Sequence, residues 1–412
     1  MAANPEQSLI LSFEAARKVV EHHAGSLRPR GRELLGLLDS RSHVLAEAID
    51  ADRDSPPFPR STRDGYALRA SDLEHIPAEL ALIGEVRAGA ADTVTLNPGQ
   101  AIAIMTGAAV PEGADAVIMI EQTTRSGGRV QIRRRVSAGE NIVPVGAEGK
   151  RGDQLLAPGS RMDYAGIALA ASAGRSRVLV YAMPKVAVLS TGDEVVDVDM
   201  PPAKHQIRNS NSYSLAAQIQ AAGGEPVLLP IAPDETGRLR DLLAEGFEAD
   251  LLLIAGGVSM GEYDLVERVL VDMKAEFFFT GAEIQPGKPV VFGRVPQSGS
   301  FKYFFGLPGN PISTMVTFEL FARPLLETLA GVVPRNLSFT HARLKSEIRT
   351  RTGLKRFLPG MLSGEFENSQ VELVKWQGSG DIGAVTRANC FVVIPPDRDR
   401  IAAGEWIPVL LR

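Results

Sequence analysis

Three short stretches of the chain place glycines beside acidic and hydroxyl residues where an apolar run ends. "STGDEVV" carries Thr191, Gly192, Asp193 and Glu194; "GGVSMGEYD" carries Gly256, Gly257, Ser259, Glu262 and Asp264; "GLPGNPIS" carries Pro308, Gly309, Asn310, Pro311 and Ser313. Glycine lets backbone N–H groups approach a ligand closely, and free N–H groups at a helix start favour anions. Carboxylates in the same loops would repel a bare phosphate. The combination suits a divalent cation such as Mg2+ held between acid and phosphate by oxygen ligands. Each loop taken singly has a plainer reading. Thr191 to Glu194 fits the Thr-x-x-Glu capping box, and Asp264 at a helix start is favoured by the dipole alone. Three such loops in one unit favour a ligand.

The elements around these loops give them a common position. From about residue 180 to 330, strands such as "KVAVLST", "EPVLLPIA", "DLLLIAGG" and "KYFFGLPGNP" alternate with helical stretches. Those helices run through "NSNSYSLAAQIQAAGG", "DETGRLRDLLAEGF", "YDLVERVLVDM" and "ISTMVTFELFARPLLETLAG". The alternation predicts a mostly parallel sheet covered on both faces, and the three loops fall at carboxyl ends of its strands, where such sheets bind ligands. Ahead of it, "SFEAARKVVEHHA" predicts a helix with Ser12 as N-cap, and a second helix is expected through "RGRELLGLLDS". Pro56, Pro57 and Pro59 then break regular structure. Residues 76 to 160 read as short strands between glycine and proline turns, a small β-rich domain. "MDYAGIALAASAG" is a short helix returning to the first stretch, and the last 80 or so residues return to short strands. The expected class is multidomain α/β. Residues 8–50 and 155–180 form a split helical linker domain, and 51–154 a small β-rich domain. Residues 181–330 form a three-layer α/β domain, and 331–412 a C-terminal β-barrel-like domain.

Composition narrows the function. Lysine and arginine total 44 against 49 acidic residues, a net charge of −5, which argues against nonspecific nucleic-acid binding. The exposed-looking run Arg133, Arg134, Arg135 has no aromatic interleaving and reads as a solvated strand end. Cys390 is the only cysteine, so no disulfide within the chain is possible, and its apolar neighbours make it a packed thiol. There is no signal-peptide pattern at the start and no apolar run of membrane-spanning length, so a cytoplasmic protein is expected. "QPGKPV" lacks the Ser or Thr of a P-loop after Lys288, and no G-x-G-x-x-G, H-E-x-x-H, paired C-x-x-C or G-x-S-x-G occurs. The six scattered histidines read as surface or packing residues.

Eight motifs in one order resemble a known family. They are "STRDGYAL" (61–68), "IMTGAAVPEGADAVI" (104–118), "GENI" (139–142), "VAVLSTGDEVV" (186–196), "NSN" (209–211), "AGGVSMGEYD" (255–264), "PGKPVVFG" (286–293) and "GLPGNPIST" (306–314). Together they are similar to the molybdopterin molybdenumtransferases, the molybdenum-insertion enzymes of molybdenum cofactor biosynthesis, which are related to the C-terminal part of gephyrin. The resemblance implies a four-part L-shaped subunit and a homodimer with its active site at the subunit interface. It also implies Mg2+ or another divalent cation, with molybdate and adenylated molybdopterin as substrates and AMP released. Molybdopterin adenylyltransferase and molybdoenzyme maturation factors are the implied partners, with no nucleic acid and no membrane. Asp64 and Thr106 would come from the small β domain and face the partner subunit's α/β domain, with Asp153 close to them. Thr191, Gly192, Gly256, Gly257, Ser259 and Asn310 would line the substrate site, and Pro308 and Pro311 would shape its loop. Glu194, Asp234 and Asp264 would serve the cation and the pterin pyrophosphate. Lys288 would offer charge to phosphate or molybdate, and Arg356 and Ser379 would come from the last domain. Gln285 stands where many family members carry lysine, which shifts the oxyanion's charge onto Lys288 and Arg356.

Two other classes remain as alternatives. A non-catalytic molybdopterin-binding or scaffold protein would bind a partner peptide at the last domain. A nucleotide hydrolase or deamidase sharing the α/β domain would lack the flanking "DGYA" module.

Overall fold

The computed structural model describes residues 9–89, 94–257, 265–297, 299–333 and 337–412. The first helix is as expected: α1 spans Phe13–Ser26, and the Ser12 hydroxyl accepts from the Ala15 N–H. The expected second helix is absent. "RELLG" forms strand β1 (Arg32–Gly36), whose partner comes from far along the chain. A run of two leucine pairs fits either period over so short a length, and the available sheet edge decides.

The small β-rich domain is a six-stranded sheet. Its strands are β2 (Gly65–Leu68), β3 (Ala78–Val86), β4 (Gln100–Ile104), β5 (Ala116–Met119), β6 (Thr123–Ser126) and β7 (Arg129–Ile132), in the spatial order β5-β2-β4-β3-β7-β6. The "DGYA" strand β2 lies between β5 and β4, and its glycine is sterically required. A Cβ on Gly65 would stand 1.8 Å from the Ile118 carbonyl oxygen. Arg133, Arg134 and Arg135 follow the end of β7 and are exposed. Helix α2 (Tyr164–Ser172), capped by Asp163, and strand β8 (Arg177–Tyr181), the antiparallel partner of β1, bring the chain back beside its start.

The α/β domain is built on β9 (Lys185–Ser190), a small ribbon of β10 (Val195–Val196) with β11 (Ile207–Arg208), and α3 (Ser210–Ala222). It continues through β12 (Glu225–Leu228), α4 (Thr236–Gly246), β13 (Leu251–Ala255), α5 (Leu265–Asp272), β14 (Glu276–Phe279), β15 (Val291–Gln297) and β16 (Ser300–Leu307). The helical course from α6 (Pro311–Thr317) to α7 (Arg323–Leu329) contains a π-helical turn at Phe318–Ala322. The sheet order is β12-β9-β13-β16-β15-β14. The first four strands are parallel and the β15–β14 edge is antiparallel, so the sheet is mixed. Its two faces follow the period-2 pattern. Val186, Val188, Leu251 and Leu253 enter one core, with residues of α1, α3, α6 and α7. Ala187, Leu189, Leu252 and Ile254 enter the other, with residues of α4 and α5. Helix α1 covers the α/β sheet through Ala16 and Val20. Its buried Arg17 donates to the Leu320 carbonyl in the π-turn, where the regular ladder is interrupted.

The last domain closes on itself. β17 (Phe339–Leu344), β18 (Lys355–Ser363), β19 (Gln370–Leu373), β20 (Cys390–Ile394) and β21 (Trp406–Leu411) follow the order β18-β19-β17-β21-β20, and β20 pairs back onto β18. Closure leaves no free edge in this barrel. Ile284–Gln285 of the α/β domain adds to β18, which ties the two domains together. Cys390 is buried, and its burial pushes the thiol up to about 11, as expected of an inert packing residue. No described helix is long and apolar enough to cross a membrane.

Gly65→Ala should destabilise the protein by about 3 kcal/mol, the scale of severe overpacking, read from denaturant unfolding. A loss under about 0.5 kcal/mol would mean that β2 and β5 separate freely.

Candidate active site

Register creates the site. Ser190 pairs with Ala255, and Ala255 with Leu307, so three parallel strands end level with one another. The loops that leave them surround a cavity of about 500 Å³. Thr191, Glu194, Gly256, Gly257, Pro308, Asn310 and Pro311 all line it, as does the first turn of α3. The convergence of the three loops at one cavity is therefore a property of the fold.

The local geometry departs from the capping box. No helix follows Thr191. The chain bridges to Ala232 and continues into the β10–β11 ribbon. Gly192 takes φ +124°, and the Glu194 carboxylate folds over it, 2.4 Å from where a Cβ would be. A side chain there would displace the carboxylate. The Thr191 hydroxyl is buried and has no hydrogen-bond partner among the described residues, as is also true of Asn211 Oδ1. An unpartnered buried polar atom is costly, so both mark the wall that a polar ligand would satisfy.

Behind this wall Asn209 caps α3 and joins a buried polar network. Asn209 Oδ1 accepts from Ser190 Oγ (3.0 Å) and from the Ser212 N–H (3.1 Å), while Asn209 Nδ2 donates to Ser212 Oγ (3.0 Å). Asn211 Nδ2 donates to the Gly309 carbonyl at 2.8 Å, so the α3 cap and the "LPGNP" loop hold each other. The ribbon residue Arg208 also lines the cavity. Sequence reasoning missed it. The only signal was a cation immediately before a Asn-Ser-Asn cap.

The other expected site residues divide into groups. Asp234 lies in the neighbouring loop, exposed, with its N–H donating to Asp193 Oδ1 at 3.1 Å. Ser259, Glu262 and Asp264 lie outside the described residues. Among the described residues, no three His, Cys, Asp or Glu side chains gather into a metal cluster. Lys288 is exposed, and its carbonyl accepts from Ala282 and Val290. The Ser379 carbonyl accepts from the Ile312 N–H at 3.0 Å, so the last domain closes the first turn of α6.

Arg356 sits in a second, more open pocket of about 610 Å³ with Gln285, Arg349, Arg351 and Trp376. It is 7% exposed. Its Nε donates to Gln285 Oε1 at 2.8 Å and its Nη1 to the Leu354 carbonyl at 3.1 Å. No carboxylate pairs with it among the described residues. Burial and the nearby Arg351 charge pull its pKa down from the ordinary value, as expected where a cation lacks a counter-ion.

Asp64 and Thr106 are brought together on the small domain. Asp64 Oδ1 accepts from the Thr106 N–H (2.7 Å) and hydroxyl (2.9 Å). These bonds, the backbone one foremost, hold the carboxyl below the usual aspartate range. Asp153 is not joined to this pair by any hydrogen bond or ion pair. Its carboxylate accepts from the Lys150 N–H at 2.7 Å and closes its own turn.

Comparison with known proteins accounts for nearly the full length. Residues 11–174 match the MoeA N-terminal region (domains I and II), residues 187–328 a "probable molybdopterin binding domain", and residues 341–411 the MoeA C-terminal region (domain IV). A molybdopterin molybdenumtransferase of Nostoc sp. is 33% identical over 387 residues, covering 92% of this chain and 88% of that protein. The chain belongs to the molybdopterin molybdenumtransferase family. The Bacillus subtilis molybdenumtransferase is 32% identical, covering 92% of this chain and 89% of that one. The crystal structure of the molybdopterin biosynthesis MoeA protein from Pyrococcus horikoshii OT3 superposes with a TM-score of 0.76 at 27% identity, covering 98% of this chain and 100% of that one. As a molybdenumtransferase-family member, the chain is a transferase of molybdenum cofactor biosynthesis.

The Asp64–Thr106 contact has a testable consequence. A carboxyl depressed in the folded state adds stability above the unfolded aspartate pKa, and that stability is lost as pH falls through the folded value. Thr106→Val keeps the N–H and removes the hydroxyl. The Asp64 pKa, followed by carbon-13 NMR, should rise toward the ordinary aspartate value, and the protein's acid sensitivity in that range should lessen. An unmoved pKa would assign the whole depression to the backbone bond.

Proposed function

We propose that this protein inserts molybdate into adenylated molybdopterin, with release of AMP, in a divalent-cation-dependent reaction in the cytoplasm. The observation that carries the reading is the cavity at the level strand ends, assembled jointly by the "STGDE", "AGG" and "GLPGNP" loops. Its wall suits a substrate with a pyrophosphate linkage. It offers an unpartnered hydroxyl, an unpartnered amide oxygen and the first turn of α3.

A divalent cation fits the donor set. Magnesium is commonly held by one or two protein carboxylates plus substrate phosphates, and Glu194 lines the cavity with Asp234 in the adjacent loop. When bound, it would neutralise charge developing on the pyrophosphate. The chain's own groups do the positioning. Glu194 is held over Gly192, Asn211 is clamped to the Gly309 carbonyl, and Thr191 is fixed by the bridge to Ala232. An oxygen of water or molybdate would attack one phosphorus of the bridge while the bridging oxygen leaves on the other phosphate, so that AMP departs with no covalent intermediate on the protein. Molybdate would be held at Lys288 and the arginine pocket around Arg356, across the Gln285–Pro289 segment from the cavity.

The active enzyme in this reading is a homodimer with sites at the subunit interface. Asp64 and Thr106 are exposed beside Met105 (44% exposed) and Ile120 (53%), and neither described pocket of the α/β domain contains them. They would reach a partner's cavity. Molybdopterin adenylyltransferase would supply the substrate, and molybdoenzyme maturation factors would receive the product.

AMP release from adenylated molybdopterin by the purified protein tests the reading. Release should require both molybdate and Mg2+, with molybdenum appearing in the pterin product. Tight binding without release would instead support a non-catalytic binding protein. Glu194→Ala and Asp64→Ala should each abolish release while the dimer remains folded, and wild-type release by either variant removes that residue's role. Lys288→Ala should raise the half-saturating molybdate concentration about tenfold, the scale of one charged hydrogen bond, and an unchanged value would make Lys288 structural.

A further inference from the structure

Among the described residues that line the α/β cavity, the only cationic side chain is Arg208, and the only carboxylate is Glu194. Arg208 ends strand β11 of the ribbon, and Glu194 immediately precedes strand β10. The Ile207 N–H donates to the Glu194 carbonyl at 2.8 Å, and Val196 stands opposite Arg208 in the parallel ladder. The Asn209 N–H then donates to the Val196 carbonyl at 2.8 Å, which delivers the chain into α3. The acid and the guanidinium are thus set beside one ribbon, and no described ion pair joins them. Arg208 has one described hydrogen bond, from Nε to the Val198 carbonyl at 3.1 Å. That bond ties Nε of this exposed residue and leaves both terminal nitrogens without a described partner. A guanidinium held by Nε presents its terminal nitrogens as a two-pronged donor, a geometry matched to phosphate oxygens. The wall beside it holds Thr191, which is 5% exposed and whose hydroxyl has no partner among the described residues, and the start of the 13-residue helix α3.

We propose that Arg208 is a substrate-binding residue that grips the pyrophosphate bridge of the substrate, with its terminal nitrogens on one phosphate. The proposal rests on the substrate being adenylated molybdopterin. It gives the α/β cavity a cation of its own, separate from the arginine pocket around Arg356. Glu194 and Arg208 then divide the bridge between them, the first toward the bound cation and the second directly on oxygen.

The test uses the full chain and inorganic pyrophosphate as the probe, titrated by calorimetry in Mg2+ buffer. Arg208→Ala should weaken pyrophosphate binding by about tenfold to a hundredfold, the range for charged hydrogen bonds. Arg208→Gln keeps a donor for the Val198 carbonyl, and it should lose as much. Arg208→Lys should fall between these and the wild type. Arg240→Ala, on α4 where it pairs with Asp272 and outside both pockets, should bind as the wild type does. The proposal is overturned if wild-type protein does not bind pyrophosphate, if Arg208→Gln binds it undiminished, or if Arg240→Ala produces the same loss. In the AMP-release assay, Arg208→Gln should raise the half-saturating substrate concentration more than it lowers the rate at saturation. A wild-type protein that releases no AMP sinks the catalytic reading, while the pyrophosphate titration still decides the role of Arg208.

Discussion

The parallel register of three strands governs this molecule. Ser190, Ala255 and Leu307 stand level because β9, β13 and β16 pair without offset, and each strand is buried on both faces. Burying an aliphatic side chain is worth roughly 1.5–3 kcal/mol, and every residue of β13 is buried. A slip of one residue would exchange the side chains meeting the two helix layers. Apolar packing therefore fixes where the loops begin, and the polar site inherits its geometry from an apolar core.

On that foundation several polar groups have no partner among the described residues. Thr191 and Asn211 each hold a buried oxygen unsatisfied, and Arg356 is buried with no carboxylate. Such groups lower stability, and they sit along the cavity and the arginine pocket. The two sites share one short segment. Gln285 holds Arg356 on one side, and Pro289 lines the cavity on the other. The Ser379 carbonyl on the Ile312 N–H and the pairing of Ile284–Gln285 with β18 bind the barrel to the same segment. A shift of the barrel would thus move groups in both sites, which gives the last domain a part in positioning the chemistry.

Much of this was legible in the residues. The strand and helix alternation, the glycine loops at the strand ends as far as they are described, and the "DGYA" module all survive as local features. Local patterns report local physics: period-2 burial, caps and turn glycines. Where the local pattern was ambiguous it misled. "RELLG" reads as helix but pairs with β8, and Thr191–Glu194 reads as a capping box but enters a ribbon. In each case a distant partner supplied the hydrogen bonds.

By itself, then, the sequence determined the family, the class of architecture and the loops able to hold a phosphorylated ligand, because those depend on residue types at short spacing. Tertiary structure alone decided that Asp64 lies against Thr106 while Asp153 closes a separate turn, and that Gln285 holds Arg356. It alone placed Arg208, with no ion pair among the described residues, in the wall of the cavity. Those facts join residues tens to hundreds of positions apart, or concern which way a side chain is tied. Sheet pairing and domain closure set both, and the spacing of neighbours along the chain carries neither.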